Sequence, residues 1–68
     1  MTVKDLLEVI PDGYFQFQSE YGHKQGYEVD ISITRKTDLK YFYIKAIEDR
    51  EVISVRAIAI DTFFVIHK

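Results

Sequence analysis

Apolar and polar positions follow two periods along this chain, and the change from one to the other divides it. Val3, Leu6, Leu7 and Ile10 recur at the spacing of one helical face, and Pro11-Asp12-Gly13 closes the run. The spacing predicts a helix over residues 2–10. Thr2 followed by Asp5 resembles a capping box with an acidic residue in the place of the usual Glu or Gln. So short a helix does not persist alone in water, so its stripe needs a sheet to pack against. From Gly13 onward the period is two. Phe15 and Phe17 alternate with Tyr14, Gln16 and Gln18, and Tyr27, Val29, Ile31 and Ile33 alternate with polar residues. This predicts strands over 14–21 and 27–35, joined by the loop Gly22-His23-Lys24-Gln25-Gly26. Pairing Tyr21 with Tyr27 sets Phe17 opposite Ile31 and Phe15 opposite Ile33, so the apolar faces coincide. It also sets Glu20 against Glu28, an unfavourable pair.

Residues 39–47 fit both periods. Leu39, Phe42, Tyr43, Ala46 and Ile47 form a helical stripe, while Tyr41-Phe42-Tyr43-Ile44 is rich in strand formers. Register favours a strand over 40–47, because it pairs Ile33 with Phe42 and Ile31 with Ile44. Strands over 51–59 and 62–67 follow, and a turn around Ile60-Asp61 pairs Ala57 with Phe64 and Val55 with Ile66. The expected fold is α+β in one domain: a short N-terminal helix and then a five-stranded antiparallel meander. The alternative keeps 39–47 helical and leaves a four-stranded sheet. The expected core face holds Phe15, Phe17, Val29, Ile31, Ile33, Phe42, Ile44, Ala46, Ile53, Val55, Ala57, Phe64 and Ile66, covered by the stripe of the helix.

Composition narrows the function classes. At 68 residues one core supplies little stability, and chains of this size tend to add disulfides, metals or oligomerisation. The absence of cysteine removes disulfides and thiolate metal sites, and the two histidines are too few for a structural zinc site. Oligomerisation is the staple left, so a homo-oligomer is expected. Nine Lys and Arg against eleven Asp and Glu leave no electrostatic footprint of a duplex nucleic-acid binder. No apolar run approaches the roughly 20 residues that span a bilayer, and 1–10 carries charges unlike a signal peptide. The expectation is a soluble cytoplasmic protein with no cofactor and no metal.

The sheet face opposite the core is where those registers gather chemistry. They bring Tyr41, Tyr43, Arg56 and His67 together with Ser32 and Ser54, a candidate ligand-binding surface in which tyrosines stack on a planar, nucleotide-like molecule and Arg56 meets a phosphate or carboxylate. An ordinary solvated face would look the same, since Tyr and Thr favour strands regardless of use. Val52, Ile58, Phe63 and Val65 turn part of that face apolar and form a candidate association interface. Catalysis is poorly served. Glu28 and Asp30 share a face but stand in water, His67 opposite Ser54 lacks an orienting group, and His23 reads as a solvated turn residue. No catalytic residues are assigned. The expectation is a non-catalytic interaction protein that binds a protein partner, with small-ligand binding or sequestration as the alternative.

Two resemblances add to this. A helix followed by five short strands is similar in layout to Sm-like and SH3-like rolls, although no Sm-type motif is present. The opening MTVKDLLEVIPD, the later EDREVISV and the apolar ending, together roughly half the chain, resemble short uncharacterised proteins encoded by phages and mobile elements of Firmicutes. That resemblance implies a protein that acts by binding, as an anti-defence protein masking a host protein or sequestering a small molecule would.

Overall fold

The computed structural model describes residues 1–39 and 41–68, with side chains for all of these except 41–43. Thr2 starts α1 (Val3–Val9) through a complete capping box: the Asp5 amide donates to Thr2 Oγ1 at 3.2 Å, and the Thr2 amide donates to Asp5 Oδ2 at 3.1 Å. The next free amides of that first turn are satisfied from elsewhere. Val3 donates to the Arg50 carbonyl and Lys4 to that of Glu48, while the Val52 amide donates back to Met1. The helix is thereby stitched to the segment that leads into the C-terminal hairpin, and the Met1 amino group closes the seam with a 2.8 Å ion pair to Glu51.

After Gly13 the chain runs through β1 (Tyr14–Ser19) and turns at once into α2 (Glu20–Gln25). It continues as β2 (Ile31–Arg35), a 3-10 turn (Lys36–Asp38), α3 (Tyr41–Ile47), β3 (Val52–Ala59) and β4 (Thr62–His67). The protein is α+β; the described residues form three α-helices and a four-stranded mixed sheet of order β2-β1-β4-β3. The five-stranded meander is not seen among the described residues; the alternative of a four-stranded sheet with 39–47 helical is the one that fits, the helix being described over Tyr41–Ile47. β4 pairs parallel with β1 and antiparallel with β3, which leaves β2 as an edge. The apolar residues of the following segment serve the core from a helix: α3 lays Ile44 and Ile47, with Leu39 just before it, against it.

Two other strands are shorter than expected. Residues 20–25 are helical because Ser19 caps them, its Oγ accepting from the Gly22 amide at 3.0 Å, and Gly26 ends them at φ 74°. Residues 27–30 lead back to the sheet without joining it, so Glu20 and Glu28 never face one another across a ladder.

Register decides the core. Phe17 stands opposite Ile31 as expected, but the ladder slips before Phe15, which meets Thr34 and not Ile33. Ile33 is left exposed. In the C-terminal hairpin eight residues of β3 oppose six of β4. The surplus falls at two bulges, where Ile53 and Ile58 have no opposing residue. Next to the two-residue turn Ala59 faces Thr62; past Ile58 the register has shifted by one, so Ala57 meets Phe63 and Val55 meets Val65. That shift exchanges the faces of β4 relative to expectation.

The buried core is Val3, Leu6, Phe15, Phe17 and Val65, with Leu7, Ile10, Ile31, Leu39, Ile44, Ile47, Val52 and Phe63 packed around it. Phe15 lies 5.5 Å from Phe63 in a stacked pair. Phe64 and Ile66, expected inside, lie half-buried on the other face; Ala46, Ile53, Val55 and Ala57 are exposed, and Val29 is half-buried outside the cluster. Phe42 lies outside the described side chains.

The parallel β1–β4 pairing begins where Gly13 passes the hairpin turn. The Tyr14 amide donates to Asp61 O at 2.7 Å, and a Cβ on Gly13 would meet that same oxygen at 2.8 Å. Gly13→Ala is expected to cost about 1–3 kcal/mol by forcing these backbones apart, read as a lower urea midpoint. A second expectation concerns Asp5, whose carboxyl is held below its ordinary value by the hydrogen bond from the Thr2 amide and that with its hydroxyl. A depressed value contributes stability above the unfolded-state value of about 3.9 and loses it as pH falls through the folded value. Thermal melts should therefore show Asp5→Ala below the parent at neutral pH, with the gap narrowing in acid.

Candidate functional site

The sheet has two unlike faces. α1 and α3 cover the one built from Phe15, Phe17, Phe63 and Val65. On the other, Gln16 and Gln18 of β1 lie beside Phe64 and Ile66 of β4, which lie beside Arg56 and Ser54 of β3. α2 reaches this second face at the Gln18 end, because the chain turns into it directly from β1. Its His23 ring meets Phe64 edge to face, with centroids 5.9 Å apart.

Gln18 fixes how that histidine presents itself. The side chain is buried, and its Nε2 donates to the Tyr27 carbonyl at 2.8 Å. A carbonyl only accepts, so the remaining amide oxygen faces His23 Nδ1 at 3.2 Å and takes the proton from that nitrogen. In the neutral ring Nε2 is then the acceptor.

Between α2 and β3 this leaves a groove of about 410 Å³ lined by His23, Ser54, Val55, Arg56, Phe64 and Ile66. The floor is apolar, the walls carry a guanidinium, an imidazole and a hydroxyl, and no carboxylate lines it. Arg56 has no ion-pair or hydrogen-bond partner among the described residues. Arg35 shows the contrast. It donates from Nη2 to the Tyr14 hydroxyl at 3.0 Å and lies over that ring, and the hydrogen bond holds its pKa above the ordinary value.

The expected ligand cluster is only partly assembled. Arg56 and Ser54 do meet, in this groove. Ser32 is on β2 at the opposite edge of the sheet, beside a second cavity of about 260 Å³ with Asp30, Ile31 and Thr34. The side chains of Tyr41 and Tyr43 lie outside the described residues, and their backbone belongs to α3 and not to a strand. His67 faces the core side, 3% exposed, and so does not stand across from Ser54. Among the expected interface residues Val52, Phe63 and Val65 pack in the core, and only Ile58 remains exposed. The contributions of His23, Phe64 and Ile66 were missed. The punctuation of α2, Ser19 at its start and Gly26 at its end, was the signal that would have lifted His23 out of a loop.

His67 has structural work. Its Nδ1 donates to Lys68 O at 2.8 Å, and its Nε2 faces Asp30 Oδ2 at 3.4 Å, in ion-pair range when the ring is charged but without hydrogen-bond alignment. The same Asp30 oxygen accepts from the Ser19 amide at 2.9 Å. Asp30 thus holds the entry to β2 against the ends of β1 and β4. Among the described residues no group of three or more His, Cys, Asp or Glu is placed to hold a metal ion, and no helix is long and apolar enough to cross a membrane.

Searches of protein-family models, curated proteins and solved structures find no match to this chain. The functional reading therefore rests on the geometry. For the Asp30 clamp, Asp30→Ala is expected to lower the unfolding free energy by about 1–3 kcal/mol, since it strips the Ser19 amide of its acceptor. Asp30→Asn keeps an acceptor and should cost less, a difference that chemical denaturation resolves.

Proposed function

We propose that this protein is a small non-catalytic binding module that associates with a second copy of itself through β3. The observation that carries the reading is the state of that strand. It forms one edge of the sheet, and seven of its eight residues are exposed, including Ile53 and Ile58 at 43% and Val55 at 39%. Ile60, in the turn that follows, is 92% exposed. A run of apolar side chains along an open edge is a liability that natural proteins blunt or cover.

The two bulges shape what can cover it. They interrupt the ladder at Ile53 and Ile58 and leave Ser54 to Ala57 as the regular stretch between. An antiparallel pairing of two copies about a two-fold axis between Val55 and Arg56 sets Ile53 of one copy against Ile58 of the other. Ser54 then meets Ala57, and no charge of one copy stands directly opposite a like charge of the other. The strand is self-complementary in the sense that an isologous interface requires. An interface of one short strand from each copy falls below the usual area of a stable complex, which makes the dimer weak and concentration-dependent. A binder that works by contact is also in keeping with the phage and mobile-element character that MTVKDLLEVIPD and EDREVISV suggest.

Sedimentation velocity across a range of concentrations tests this. The parent chain should shift from monomer toward dimer as concentration rises, and Ile58→Asp should hold it monomeric with an unchanged circular dichroism spectrum. A parent that stays monomeric throughout the range overturns the proposal.

A further inference from the structure

The groove between α2 and β3 is a separate feature from the β3 edge, since it opens on the sheet face and not along the open ladder. We infer that it is a binding site for a small molecule that joins a flat, N–H-bearing ring to a phosphate or carboxylate. Each part of that description comes from a different wall.

The oxyanion is called for by Arg56. Its guanidinium borders a cavity whose lining holds no carboxylate, in a chain where acids outnumber bases eleven to nine. Among the described residues Arg56 has no ion-pair partner, while Lys24 has Glu20 and the Met1 amino group has Glu51. A planar fork of donors matches a phosphate or carboxylate in two-point geometry, and the Ser54 hydroxyl on the same strand adds a further donor.

The flat ring is called for by the floor. Phe64 and Ile66 are half-buried here, on the face opposite the core, and His23 stands edge-on to Phe64. A planar body can lie on this apolar surface beside the imidazole. The N–H donor is called for by the relay through Gln18. Because Tyr27 O fixes the amide and the amide fixes His23 Nδ1 as donor, the neutral ring offers Nε2 as an acceptor. Buried Gln18 therefore acts as a positioning residue, holding one tautomer and one ring orientation in place. The volume of about 410 Å³ stands in the lower part of the range for small-molecule sites and suits a body the size of a nucleoside monophosphate.

The test uses four probes on the full chain, followed by amide and side-chain NMR shifts: adenosine 5′-monophosphate, phenyl phosphate, adenosine and inorganic phosphate. Adenosine monophosphate is expected to shift the signals of His23, Arg56 and Phe64 in a saturable way. Adenosine and inorganic phosphate, each lacking one half of the ligand, should bind at least about tenfold more weakly. Arg56→Gln, at an exposed position, should keep the spectrum of a folded protein and weaken the monophosphate by about tenfold or more. His23→Phe retains a ring but no acceptor, and it should abolish the preference for adenosine monophosphate over phenyl phosphate. The inference is overturned if neither aromatic phosphate shifts these residues, if inorganic phosphate binds as tightly as the monophosphate, or if Arg56→Gln leaves affinity unchanged. None of these outcomes depends on self-association, and Ile58→Asp should bind the probes as the parent does.

Discussion

The structure depends on β4 lying beside β1. That parallel pairing sets Phe63 against Phe15 and Val65 against Phe17, and these four side chains are the floor on which α1 and α3 rest. Remove it and neither layer has a surface: the helices are too short to stand alone, and the two hairpins would be isolated pairs of marginal stability. Gly13 permits it by letting the start of β1 pass the turn of the β3–β4 hairpin at a backbone distance that a side chain would obstruct. The core is small, with five buried apolar residues among those described. Much of the remaining cohesion comes from backbone and capping bonds that tie residues 1–4 to 48–52.

The bulges of β3 connect that core to the groove and to the free edge of the sheet. The slip at Ile58 turns Val65 inward and Phe64 and Ile66 outward. With the opposite parity Phe64 and Ile66 would face the core, and Phe63 and Val65 would face the groove. The same slips leave Ile53 and Ile58 unopposed along the free edge. A single surplus residue at each point thus decides what lies inside, what lines the groove and what is left for a partner. α2 supplies the other half of the groove, because Ser19 redirects the chain immediately after β1 and brings His23 over Phe64.

Much of the local structure was legible in the residues. Thr2 and Asp5 marked the start of α1, Val3 and Leu6 its buried side, and Phe15 and Phe17 the inward face of β1. The hairpin over 51–67 and its turn at Ile60-Asp61 were likewise readable. Arg56 and Ser54 were placed together because they lie two apart on one strand, a relation that any register preserves. His67 and Val65 were placed on the wrong side because their side depends on the count of residues between them and the turn as matched by the facing strand. Ser32 and Arg56 were brought together only by a strand at 40–47 that does not exist.

Periodicity is a property of neighbours along the chain, and the sequence by itself determined what neighbours determine: where α1 starts and stops, and which residues of a strand share a side. Which of a strand's two sides faces the core is not such a property. It is set by pairing between residues far apart, and one bulge reverses it with no mark in the alternation itself. The fate of 39–47 was decided the same way. Its residues suit either a strand or a helix, and contacts far along the chain made the choice: Ile44 and Ile47 of α3 pack onto the core that β1 and β4 build, while β2 stays an edge strand among the described residues.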